Sequence, residues 1–284
     1  QMQQIDYILT RVREFPTLSA FFTSLSGVIN NPDANINEVA EIIEKDQASV
    51  TKLLRIANSS IYGFRSRISN VSQAILFIGF EEVKNILLTL KVINLFRSLD
   101  EEIKFVNPID FWRQSIGSGV IARIIGMNIG IQNTDVLFLS GVTHNIGKLL
   151  FYITIPEDYE KVLQLHHNKK INIQDAEREI LGISNSMAGE MLAEKWRLSL
   201  PIIEGIKYYQ TGFVGEKINL NIAILHIADI ASCMLGFGND GREFISQPNP
   251  KAWELLNLPD NFFTLNYQRI IRDFEENSAI LLED

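Results

Sequence analysis

Cysteine is almost missing from this sequence: Cys233 is alone among 284 residues. No internal disulfide can form, and a reducing compartment is expected. In its apolar surroundings the thiol reads as buried and inert, with no oxyanion signal to make it a nucleophile. A basic stripe is missing as well. Acidic residues outnumber basic ones, 34 to 26, for a net charge of −8. Arg11, Arg13, Lys52, Arg55, Arg65 and Arg67 lie scattered, and the one short run is Lys169-Lys170. Proteins that bind nucleic acid neutralise phosphates with clustered cations, so these residues read as a mixed solvated surface and nucleic acid is not an expected partner. Strand-like alternation, low-complexity tracts and a solenoid period are all absent. So are a Walker A loop and a glycine fingerprint following a strand; the glycines of residues 236–241 have loop composition but no strand before them. No signal-peptide pattern stands in residues 1–10, and the start at Gln1 rather than methionine leaves the native start open. The most hydrophobic stretch, residues 218–237, carries His226 and Asp229 mid-segment, each costly in lipid. It reads as a buried core helix of a soluble, cytoplasmic protein with no membrane partner.

What the sequence does have is helical periodicity. Its 46% of hydrophobic residues suffices for a sizeable core. Asn35 followed by Glu38 resembles a capping box opening a helix through Val39, Ile42 and Ile43. Apolar residues recur at helical spacing from Gln73 to Phe96, with Gly79 marking a break between two helices. A helix from Phe111 to Ile129 follows, with Trp112, Ile116, Val120 and Ile124 at four-residue steps. Pro156 suits the first turn of the next. Ser184 caps another, whose inner face would be Met187, Met191, Leu192 and Trp196. Pro201 begins a helix ending near Tyr209, residues 253–258 form a short one, and a last runs from about Leu265 to Leu282. The fold class is all-α, a multi-helical bundle. Three parts are expected: an N-terminal helical subdomain (1–107), a second helical subdomain opening at the Pro108 seam (108–236), and a C-terminal helical extension (237–284).

The most informative stretch is Phe138-Leu-Ser-Gly-Val-Thr-His144-Asn145-Ile-Gly-Lys148, where an apolar helix delivers a histidine beside a short amide. With aspartate in place of Asn145, the pair would be the His-Asp doublet of the HD superfamily of metal-dependent phosphohydrolases, which gives a metal adjacent nitrogen and oxygen ligands. The surroundings resemble one branch of that superfamily, the HDOD (HD-related output) domain of bacterial signalling proteins, over residues 15 to about 229. The blocks that carry the resemblance are Phe15-Pro16-Thr17-Leu18, residues 42–46, residues 53–63, Ala74 to Gly79, Phe111-Trp112, Gly141 to Lys148, Glu190 to Trp196 with Pro201, and Leu225-His226-Ile227-Ala228-Asp229.

The resemblance implies where ligands would stand. The upstream histidine position holds Gln114. The doublet is His144-Asn145. A further histidine, found in HD-GYP phosphodiesterases and many HDOD sequences, is replaced by Asn185, and the histidine pair after the Pro201 helix by Tyr208-Tyr209-Gln210, with the register open by one. Only His144 and Asp229 keep the ancestral types. Losing the bridging carboxylate alone removes about 4 kcal/mol of charge attraction, and the lost imidazoles add to the deficit. Metal-activated water is therefore not expected, nor any cofactor.

The resemblance thus implies a non-catalytic regulatory or output module acting through contacts with signalling proteins, with self-association open. The contact regions expected are the Asn58–Gly63 segment, with an exposed-looking Tyr62, and the 236–250 loop. Two alternatives share the same residues. One is a residual metal-dependent phosphohydrolase acting on nucleotides or cyclic dinucleotides. The other is a ligand-sensing pocket of Gln114, His144, Asn145, Lys148, Asn185 and Asp229. His226 and Asp229, three apart on one helix, are placed to pair, and His166-His167 reads as solvated surface.

Overall fold

A computed structural model describes residues 2–16, 18, 25, 27, 35–99, 103–214 and 217–283. Thr17 of the first resemblance block lies outside them. Helices dominate the described residues, and side-chain caps set many of their ends. α1 is Met2–Glu14. α2 (Ile36–Glu44) starts at Asn35, whose side chain accepts the Glu38 amide at 3.0 Å and donates to the Glu38 carboxylate at 2.8 Å. α3 (Gln47–Ala57) is capped by Asp46 and α4 (Val71–Ile78) by Asn70. Gly79, at φ 97°, ends α4 and opens α5 (Phe80–Arg97), a backbone region that favours glycine.

α6 runs Pro108–Asn128, because Asn107 accepts two amides and Pro108 fills the first turn; the apolar spacing alone placed its start at Phe111. α7 (Asp135–Thr143) and α8 (Ile146–Thr154) are split by a turn at His144 and Asn145. α9 (Pro156–Lys169), α10 (Ile173–Leu181), α11 (Asn185–Lys195) and α12 (Leu200–Tyr208) follow. Of the expected inner face of α11, Leu192 and Trp196 are buried and Met191 is partly so, but Met187 is half exposed and Ala188 takes its place. A two-residue hairpin, β1 (Phe213–Val214) with β2 (Lys217–Ile218), pairs Phe213 with Ile218; period-2 reading cannot detect strands that short. α13 (Leu220–Met234), α14 (Pro250–Leu256) and α15 (Phe262–Leu282) complete the fold. α15 begins before Leu265, which is exposed.

The core centres on α6, buried from Phe111 to Gly126 except at Arg113 and packed against α7, α13 and α15. A Cβ added to Gly141 of α7 would lie 2.3 Å from the Gly119 Cα of α6. The two backbones are in direct contact, which sets the depth of the following turn. Residues 135–154 are apolar and long enough to cross a bilayer, but 89% of that window is buried inside the protein, as expected of core helices.

Candidate functional site

Five elements and one loop meet at the turn between α7 and α8. His144, Asn145 and Lys148 come from the turn and α8, Gln114 from α6, Asp229 from α13, Tyr209 from the end of α12 and Asn185 from the start of α11. All seven are buried. They form one hydrogen-bonded network together with two side chains that sequence reading missed, Asp240 and Arg242 of the 236–250 loop.

Asp229 is the hub. Gln114 Nε2 donates to its Oδ1 at 2.6 Å, and His144 Nε2 lies 3.1 Å from the same oxygen. The Arg242 guanidinium clasps both carboxylate oxygens, Nη1 on Oδ2 and Nη2 on Oδ1, each at 2.8 Å. Its Nε donates to Asp240 Oδ1 at 2.9 Å. The other Asp240 oxygen accepts Lys148 Nζ at 2.6 Å and Asn145 Nδ2 at 2.9 Å. Tyr209 donates to Asn145 Oδ1 at 2.7 Å and lies 3.4 Å from Asn185 Oδ1. Asn185 in turn donates to the buried carboxylate of Glu177, which also accepts the Tyr159 hydroxyl. A buried lysine and a mostly buried arginine thus face two buried aspartates, and no buried side-chain nitrogen or oxygen of these residues lacks a partner, as low-dielectric interiors demand.

The electrostatics follow. Burial pushes the Asp229 and Asp240 carboxyls up, but the Arg242 charge, with His144 on the first and Lys148 on the second, holds both below the usual carboxylate range. The same contacts keep Arg242 protonated against its own burial. Burial pushes Glu177 upward. It pushes the Cys233 thiol up to about 12, so Cys233 is no nucleophile; its sulfur accepts from Arg242 at 3.0 Å.

The loop is held at several points besides Asp240 and Arg242. Asn239 N donates to Asp110 O at 3.1 Å, and Tyr152 donates to Asp240 O at 3.0 Å. A Cβ on Gly238 would lie 2.0 Å from Asp110 O, so only glycine fits this approach. Two histidines act as clamps. His166 is buried and stacked on Phe244, contrary to its expected place on the solvated surface; only His167 is exposed. His166 Nδ1 meets Ile171 O at 2.7 Å and its Nε2 accepts the Glu243 amide at 3.3 Å. His226 does not pair with Asp229: its Nδ1 meets Tyr209 O at 2.9 Å and its Nε2 accepts the Asn249 amide at 2.9 Å. A carbonyl only accepts and an amide only donates, so both rings are neutral with the proton on Nδ1. Burial lowers both their pKa values. Of the expected contact regions, Tyr62 is half-buried, and the 236–250 loop turns its two strongest charges inward.

A divalent ion does not fit these residues. His144 faces Gly141 O at 2.5 Å with Nδ1 and Asp229 with Nε2, so neither ring nitrogen points at open coordination space. Asp229 gives both oxygens to Arg242. Among the described residues no group of three or more His, Cys, Asp or Glu is placed to hold a metal ion.

The HDOD domain model matches residues 15–211, and the chain belongs to that family. The match ends before Asp229, Asp240 and Arg242. An uncharacterised protein of Treponema pallidum (strain Nichols) is 25% identical over 203 residues, 71% of this chain but 39% of its own length; the chain spans well under half of that curated relative. Among solved structures, an HDOD domain protein of unknown function from Geobacter sulfurreducens superposes with TM-score 0.73 at 22% identity, over 99% of this chain and 100% of its own. A protein from Shewanella amazonensis SB2B named as a candidate metal-dependent phosphohydrolase gives 0.68 at 21% identity, over 99% and 98%. One from Marinobacter aquaeolei VT8 named as a candidate signal transduction protein gives 0.69 at 18% identity, over 99% and 66%. At these identities the likeness establishes the fold.

Proposed function

We propose that this chain is a non-catalytic regulatory module of signal transduction that works through protein contacts, and that its polar centre holds the 236–250 loop against the bundle. The observation that carries this reading is the Arg242 guanidinium clasped on both oxygens of Asp229. A fixed organic cation stands where hydrolase chemistry would need an exchangeable metal and its water. The Marinobacter protein's name favours signalling, and the Shewanella protein's name favours hydrolysis. The ligand set supports the former reading, because Gln114, Asn145, Asn185 and Tyr209 offer amides and a phenol whose hydrogen bonds are already used. The same saturation disfavours a nucleotide-sensing pocket at this point. The test pairs elemental analysis with phosphatase assays on nucleotides and cyclic dinucleotides after incubation with manganese, iron or zinc. No stoichiometric metal and no turnover are expected. A transition metal bound one to one and lost on His144→Ala would overturn the reading.

A further inference from the structure

The arginines that look scattered in sequence are not scattered in space. Arg55 closes the last turn of α3, and Arg65 and Arg67 lie on the loop that follows. All three line one groove of about 1130 Å³, whose opposite wall is α15. None has a hydrogen bond, ion pair or ring contact among the described residues. Arginines elsewhere behave differently: Arg113 reaches Glu275, Arg178 reaches Asp175, and Arg242 reaches Asp229 and Asp240.

The loop presenting Arg65 and Arg67 is pinned. Asn58 Nδ2 donates to Ile68 O at 2.8 Å, and Ile68 N donates to Asn58 Oδ1 at 2.8 Å. Phe64 stacks on Tyr62, with centroids 5.9 Å apart, and lies tilted against Phe77 at 5.8 Å. The one acidic residue lining the groove, Glu276, has an oxygen engaged by the Ser60 amide at 3.1 Å. The floor between the charges is aliphatic, with Leu54, Ile68 and Ile280 among its residues. Pre-set cations over an apolar floor lower the ordering penalty of binding.

We propose that this groove is the docking site for an acidic segment of a partner protein, its carboxylates on Arg55, Arg65 and Arg67 and its aliphatic side chains on the floor. Charge complementarity selects the occupant. The groove exceeds the range of about 300–1,000 Å³ usual for small-molecule sites, so it takes several side chains of a peptide. An extended polyanion such as RNA would meet the net negative charge of the whole chain, −8 with these arginines counted, whereas a short acidic segment meets the arginines within a Debye length. Arginine also suits carboxylates through its planar fork. The proposal rests on the protein-contact reading, yet the two fail separately: metal content tests that reading and groove binding tests this one.

The experiment is fluorescence anisotropy with a labelled peptide of about twelve residues repeating Glu-Leu-Leu-Glu, a glutamine-for-glutamate version of it, and a single-stranded RNA of similar length. The acidic peptide is expected to bind, more weakly at high salt. The double variant R65E/R67E should bind it at least about tenfold more weakly with an unchanged melting temperature, and the glutamine peptide should lose a similar factor. R178E, at a paired arginine away from the groove, should bind as the parent does. No binding of the acidic peptide, binding unchanged by R65E/R67E, or RNA bound more tightly than peptide would each overturn the proposal. So would self-association of the chain that R65E/R67E abolishes, since the occupant would then be a second copy.

Discussion

Arg242 is mostly buried, its side chain 10% exposed, with the carboxylates of Asp229 and Asp240 on its guanidinium, while Arg65 and Arg67 stand exposed at the groove with no such partner among the described residues. Surroundings alone decide what the same side chain does. In the interior, an unpaired charge would be ruinous, so cation and anions have been placed together and the result is a closed centre that holds a loop. At the surface, water solvates the guanidinium and lets it wait for an anion from outside. The cation at the centre is committed to the loop, whereas the groove keeps arginines with no side-chain partner among the described residues.

The comparison breaks most severely at Arg242. Arg242→Ala takes the arginine from the buried Asp229 carboxylate and leaves Asp240 with Lys148 alone, and should destabilise the fold by about 3–5 kcal/mol, read by urea unfolding. Arg242→Lys, which keeps the charge without the two-pronged grip, should fall between. A loss under about 1 kcal/mol for the alanine variant would mean that the centre is not closed. Asp240→Asn keeps an acceptor for Lys148 but removes its counter-charge, and about 1–3 kcal/mol should be lost.

Acidification should loosen the interior in two stages. His166 and His226 have folded pKa values below the ordinary 6.5, so they bind fewer protons folded than unfolded. Their contribution is present above about pH 6.5 and is lost as pH falls through the folded values. Asp229 and Asp240 are also lowered, from 3.8; theirs is whole above about pH 4–5 and declines below it. Glu177 and Asp135, raised by burial, the latter to about 6, run the other way and offset part of the first stage. Stability measured across the acid range should therefore fall with pH, and Arg242→Ala should flatten the lower stage. The neutral clamps are read from a difference: H166Q/H226Q should lose the histidine part of the fall between about pH 7 and pH 5, and an unchanged slope in that variant would contradict them. The smallest effect belongs to the groove: R65E/R67E should change stability by no more than about 0.5 kcal/mol, since these arginines have no partners to lose.

Much of this was legible in the residues. The helix periods, the caps at Asn35 and Ser184 and the break at Gly79 are local signals, and locality is what a sequence displays. His144, Asn145, Gln114, Asn185, Tyr209 and Asp229 were reached through the family pattern, and the structure draws them together. Asp240 and Arg242 were not reached, because a glycine-rich loop carries no period and the family match ends before it. One signal did exist. Lys148 sits in an apolar helix, and a lysine buried there needs an anion from somewhere else in the chain. His166 was misplaced because its neighbours His167, Asn168 and Lys169 are polar, while the aromatic that covers it, Phe244, is far along the chain. The arginine cluster was hidden by the same limit: proximity across the loop after α3 and α15 is a property of packing.

The most direct test of a closed, metal-free centre is the metal content of the purified protein after saturation with manganese, iron or zinc and removal of free ion. The expected result is no stoichiometric metal in either the parent chain or His144→Ala. One metal per chain in the parent, lost in His144→Ala, would contradict it.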